Sequence, residues 1–221
     1  MSKHILKTEC ERCGTCCMKG GPALHIEDKK LLLQEIIDRE CLITIRKGEP
    51  VFSLEESKPE WAKTEIIKLK GNHTEWSCIF YDRKNFSCSI YQHRPLECIL
   101  LKCWDTVELK AIAGKSLMNR FDIISSHQPI IKYIHKHEKE CSLEILTQLS
   151  IKQNGKINKT SLAELTEMVN KDLAFRSEAL KHFNLNLNLE LFYFGRPLFK
   201  ILSQFDLMPK EVNGKIILIQ A

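Results

Sequence analysis

The chain has 221 residues, of which 43% are hydrophobic and 28% charged, with a formal charge of +5; these are ordinary values for a globular protein. A chain of this length can bury its own core without disulfide staples, so its ten cysteines need another explanation. No apolar run suited to a signal peptide follows Met1, and no stretch nears the roughly 20 apolar residues of a membrane span, so a cytoplasmic chain with reduced thiols is expected.

Residues 8–25 read as a Cys/Gly loop broken by Gly14, Gly20, Gly21 and Pro22. The stripe Leu31, Leu32, Glu35, Ile36 and Arg39 predicts a helix over 27–42. Residues 43–60 are irregular, with Gly48, Pro50 and Pro59. Short strands follow over 62–91, and Cys78-Ile79-Phe80-Tyr81 and Phe86–Ile90 flank a turn at Asp82–Asn85 as a hairpin. Pro95 opens a predicted helix that runs to Ile112. Further helices are expected at 121–137, 141–153, 160–183 and 189–207, and a closing hairpin around Asn213-Gly214. The expected fold is α+β and mostly helical, with a small β-hairpin beside a Cys-rich metal site. Residues 1–120 should form the cysteine-cluster metal-binding domain. Residues 121–221 should form a helical accessory region ending in the hairpin.

The first cysteine cluster is Cys10, Cys13, Cys16 and Cys17. A two-residue spacing lets a tight loop aim two sulfurs at one ion, and Gly14 permits the turn. The run C-x2-C-x2-C resembles the start of bacterial ferredoxin cluster sites. In an extended backbone the neighbours Cys16 and Cys17 would point to opposite sides and serve different metal atoms. A vicinal disulfide is the alternative, at the cost of strained geometry and an oxidant. The second cluster is Cys78, Cys88, Cys98 and Cys103, with Cys78 and Cys88 on the two hairpin arms and Cys98 in the first turn of the Pro95 helix. Eight thiolates supply two four-cysteine sites, or one cluster with reserve ligands. Eight thiolates subtract eight charges and two zinc ions restore four, which takes +5 to +1. The basic surplus is therefore read as balancing metal, not as a nucleic-acid footprint.

Cys41 and Cys141 stand alone in apolar helical patterns and read as buried structural residues. Arg94, between two cysteines, is a candidate donor to thiolates or to a bound anion. Tyr91 reads as packing. His25 and His93 could replace a sulfur, although eight cysteines make that unnecessary. His135-Lys136-His137 reads as a solvated helix face. Gly114-Lys115-Ser116 lacks the upstream glycine of a phosphate loop, since Leu109 occupies that place. The aromatic segment Leu189–Phe199 reads as core, with partner docking as the alternative.

The string Cys10 to Cys17, followed by Cys78-x-Phe80 and by Cys88-Ser89-Ile90-Tyr91-Gln92-His93-Arg94-Pro95-Leu96-Glu97-Cys98, resembles the YkgJ-type CxxCxxCC cysteine-cluster family. The resemblance covers about residues 8–105 and implies a zinc- or iron-chelating domain in which all eight cysteines are metal ligands. Flagellin lysine-N-methylases carry a similar cluster with an iron–sulfur centre, which implies [4Fe-4S] ahead of Zn2+ and an electron-transfer or modification-accessory role. The alternative is a structural zinc module that binds protein or nucleic acid. No catalytic residue is identified, and whether the chain is an enzyme stays open. A protein partner is allowed for; nucleic acid and membrane are not expected.

Overall fold

A computed structural model describes residues 8–52, 59–72, 76–144, 146 and 157–220. In chain order the elements are α1 (Lys29–Leu33), β1 (Leu42–Ile45), β2 (Pro50–Phe52), β3 (Pro59–Trp61), β4 (Ile66–Leu69), β5 (Tyr81–Asp82) and β6 (Ser87–Cys88). Then follow α2 (Leu96–Leu100), α3 (Val107–Ile112), α4 (Ile130–Glu140), α5 (Lys159–His182), α6 (Glu190–Phe194), α7 (Leu198–Leu202), β7 (Leu207–Val212) and β8 (Lys215–Gln220). The fold is α+β and mostly helical, with strands in two-stranded pairs. No helix among the described residues is long and apolar enough to cross a membrane. The chain clusters into two compact units: Met1–Leu42 with Ile67–Met118, and Ile43–Ile66 with Asn119–Ala221.

The first unit is built on an extended strap at residues 22–26, hydrogen-bonded along both edges. Leu24 N donates to Ile67 O (2.8 Å), and Leu69 N to Pro22 O (3.0 Å). On the other edge Met118 N donates to Leu24 O (2.8 Å), and Ile26 N to Ser116 O (3.0 Å). Leu24, Leu31, Ile67, Leu69 and Met118 are buried around it. Two carboxylates fasten α2 to the strap. Asp28 accepts from His25 N and Leu96 N, and Glu97 accepts from Ala23 N. The carboxylate of Glu97 also lies 3.4 Å from His25 Nε2, so the buried His25 is spoken for by a carboxylate.

Two predicted helices are shorter than their apolar pattern suggests. The one expected over 27–42 ends at Leu33, because Glu35 turns left-handed (φ 56°) while Ile36 N donates to Leu31 O and Glu35 N to Leu32 O. That is a Schellman closure, built on a glutamate in place of the usual glycine. The helix expected from Pro95 to Ile112 is two helices, because Asp105 accepts from Val107 N and starts α3 afresh. In the second unit the helix expected at 121–137 begins only at Ile130. A tight turn precedes it, in which the Asn119 side chain accepts from Phe121 N and the Asp122 carboxylate from Asn119 N. Most of the helix expected at 141–153 lies outside the described residues.

The 24-residue α5 organises the second unit, capped by Asn158, whose side chain accepts from Ser161 N. Its Leu165, Val169 and Phe175 join Cys141, Leu198, Ile201, Leu202, Leu207 and Leu218 in one core. Segment 189–207, expected as one helix, is split. Arg176 donates to the carbonyls of Phe194, Gly195 and Arg196, and Gly195 takes φ 67° where a Cβ would lie 2.8 Å from Thr44 O. Phe192 and Phe194 are fully buried, so this aromatic segment is core. The structure also corrects the reading of His137 as a solvated side chain. It is buried, with Nε2 2.6 Å from Asp172, which accepts as well from Arg176 Nε and Leu198 N. Strands β7 and β8 pair across an Asn213-Gly214 turn with both residues at positive φ.

Candidate metal centre

All eight clustered cysteines belong to the first unit, and all ten thiols of the chain are free. The first loop is curled by Arg12 (φ 55°) and Gly14 (φ 76°), and closed by Met18 N donating to Gly14 O (2.8 Å). Cys16 is helical (φ −71°, ψ −39°) and a 3-10 turn follows at Cys17–Lys19. The extended backbone considered for Cys16 and Cys17 is therefore not what forms. The helical turn leaves their sulfurs 4.0 Å apart.

The second cysteine segment is tied to this loop directly: Cys78 N donates to Cys17 O at 2.7 Å. Tyr81 and Cys88 face each other in the β5–β6 ladder, whose turn is closed by Asp82 accepting from Lys84 N and from Asn85. Cys98 lies in α2, held to the strap by Asp28 and Glu97. Across the two segments Tyr91 carries two guanidiniums, Arg12 at 4.4 Å and Arg94 at 3.9 Å from its ring centroid. Arg94 Nε also donates to Tyr91 O (2.9 Å).

Four thiols, Cys16, Cys17, Cys78 and Cys98, respond to neighbouring sulfurs. A hydrogen bond from Cys17 lowers the Cys16 thiol to about 6, with help from Arg94, and the shared proton drives Cys17 upward. Burial raises Cys78 and Cys98, and the neighbouring Cys88 and Cys16 raise both further. The structure thus gathers Cys16, Cys17, Cys78, Cys88 and Cys98. Cys13 is exposed, 3.3 Å from the Thr15 hydroxyl and near Tyr81. Cys10 and Cys103 are exposed. Cys41, read from sequence as structural, is half-buried and close enough to add to the charge felt by Cys78.

These residues fit a thiophilic metal on two observations. Several thiols packed together cannot all ionise without a cation among them, and soft sulfur donors suit zinc or iron. Among the described residues the buried Tyr81 hydroxyl has no hydrogen-bond partner, although it lies against Gly14 in the middle of the first loop. Nothing in the sequence marked Tyr81, since its place follows from strand register with Cys88.

Away from this loop, His137, Cys141 and Asp172 bring three donors within 4.8 Å of one another. The oxygens of Asp172 are already taken by His137, Arg176 and Leu198 N, and the positive charges of Arg46 and Arg176 act on His137. This is a buried ion network, hostile to a further cation.

The fold and the thiol group define a cysteine-rich metal-chelating domain. A family model, CxxCxxCC, described as a candidate zinc- or iron-chelating domain, matches residues 9–142, and the chain belongs to that family. No curated protein and no solved structure matches the chain.

Proposed function

We propose that the first unit holds one iron–sulfur centre whose four thiolate ligands are drawn from Cys10, Cys13, Cys16, Cys17, Cys78, Cys88, Cys98 and Cys103, with Cys16, Cys17, Cys78, Cys88 and Cys98 innermost and the rest in reserve. The observation that carries this reading is the Cys78–Cys17 backbone bond, which ties the two cysteine segments to each other. Two separate four-cysteine zinc sites, one per segment, would not need that mixing. A single tetrahedral ion with Zn–S of about 2.3 Å sets its sulfurs about 3.8 Å apart. Among the described residues no three cysteine sulfurs lie within 4.8 Å of one another, a spread that suits ligands on different irons of a cluster. Bound there, a cluster supplies one-electron redox chemistry. Arg94, beside Cys16, offsets part of the thiolate charge. The role is electron transfer, or support of a modification enzyme, through a protein partner.

Structural zinc is the second reading, favoured by the 4.0 Å separation of the Cys16 and Cys17 sulfurs, which suits a single ion. Anaerobic purification followed by a visible spectrum and by metal and acid-labile sulfide assays separates the two. A brown protein with sulfide and iron is expected. A colourless protein carrying zinc would overturn the iron–sulfur reading, and a protein without metal would overturn both.

A further inference from the structure

We propose that Tyr81 is a positioning residue of the metal centre, whose hydroxyl donates a hydrogen bond to a metal-bound thiolate of the Cys13–Cys17 loop. The inference rests on the chelating reading above. Tyr81 is 6% exposed, and its hydroxyl has no partner among the described residues. A buried hydroxyl without an acceptor costs free energy, and such groups are rare unless a ligand or a rearrangement completes them. The ladder pairing with Cys88 fixes the ring from one side. From the other, Gly14 leaves the space that the hydroxyl fills: a Cβ there would be 1.7 Å from the oxygen. Gly14 sits between Cys13 and Cys16 in the chain, so the phenol oxygen that lies against it faces the loop that carries Cys13, Cys16 and Cys17.

A hydrogen bond to a thiolate withdraws electron density from the sulfur, steadies the ligand and lowers its nucleophilicity. Tyr81→Phe keeps the ring on Gly14 and deletes only the donor. The wild-type protein and Tyr81→Phe, both purified with their metal, are compared for metal per chain and for the rate of iodoacetamide alkylation, with the modified residues located by peptide mass mapping. Equal metal content and a several-fold faster reaction at one of Cys13, Cys16 and Cys17 are expected. Equal rates on equal metal would overturn the Tyr81 assignment while leaving the chelating reading intact; a wild-type protein without metal would overturn that reading itself. Should Tyr81→Phe fail to fold, tyrosine ring-carbon NMR of the wild-type protein decides, with Tyr81 assigned by replacing Tyr91, Tyr133 and Tyr193. In the zinc-loaded protein its hydroxyl-bearing carbon should give two lines in an equal mixture of light and heavy water, as a slowly exchanging, hydrogen-bonded hydroxyl does, and a single averaged line would overturn the proposal.

Discussion

Gly14 works under two constraints at once, a left-handed backbone at φ 76° and a phenol oxygen in the place of its side chain. Gly14→Ala should therefore cost on the order of 1–3 kcal/mol from the backbone alone, before the tyrosine is displaced. The expected outcome is a lower melting temperature together with less metal per chain, both measured on the purified protein. Asp172 is the equivalent point in the second unit. It accepts from His137, Arg176 and the Leu198 amide, all buried. Removing one partner of a buried charge pair costs about 3–5 kcal/mol, so Asp172→Ala should be among the most damaging substitutions, read by urea unfolding. The same cluster gives a pH dependence. Burial, with Arg46 and Arg176, holds His137 at about 4, below its ordinary 6.5, so it is neutral when folded. The unfolded chain then takes up the proton first. Stability from this group is whole above about pH 6.5 and is lost as the pH falls toward about 4. A series of melts across that window should slope downward on acidification, and more gently in His137→Gln.

At the scale of elements, Tyr91 joins two cysteine segments that local sequence keeps far apart. Arg12 comes from the first loop and Arg94 from the approach to α2, and both lie on one ring. Tyr91→Leu should release metal to a competing chelator faster than the wild type, whereas Tyr91→Phe, which keeps the ring face, should stay close to it. Element by element, what could be read from sequence was whatever short-range chemistry decides. Asn213-Gly214 announced the last hairpin, because its two positive-φ residues are a local demand. The long α5 was expected at 160–183 and forms over Lys159–His182. The helix predicted from Pro95 to Ile112 was misread because apolar periodicity persists through Asp105, whose side chain opens a new helix instead. His137 was misread because its partner, Asp172, lies on a different helix. For the metal site, the cysteine spacings carried the donor atoms, but the partition of the eight into an inner five and three exposed thiols depends on tertiary packing.

At the scale of the molecule, the two units should differ in their dependence on metal. The second has a continuous apolar core of its own, from Cys141 and Leu165 through Leu218. The first leads its cysteines through irregular loops, and there ligation free energy becomes folding free energy. Stripping metal with a chelator, or replacing Cys13 by Ser, should unfold residues 8–42 and 67–118 and leave α5 and the β7–β8 hairpin protected in hydrogen exchange. Equal loss of protection in both units would contradict this.

The interleaving of the two units bears on any attempt to dissect the gene. Thr44 Oγ1 donates to the Phe192 carbonyl, and Arg196 donates to the Glu49 carboxylate at 2.7 Å and to Pro50 O. A polypeptide begun at residue 119 would thus lack the strip at 43–66 that closes over its own aromatic helix, leaving a buried carbonyl and an arginine bereft. Such a half-length product should precipitate on expression, whereas one in which residues 43–66 are spliced back ahead of 119 through a short flexible linker should stay in solution.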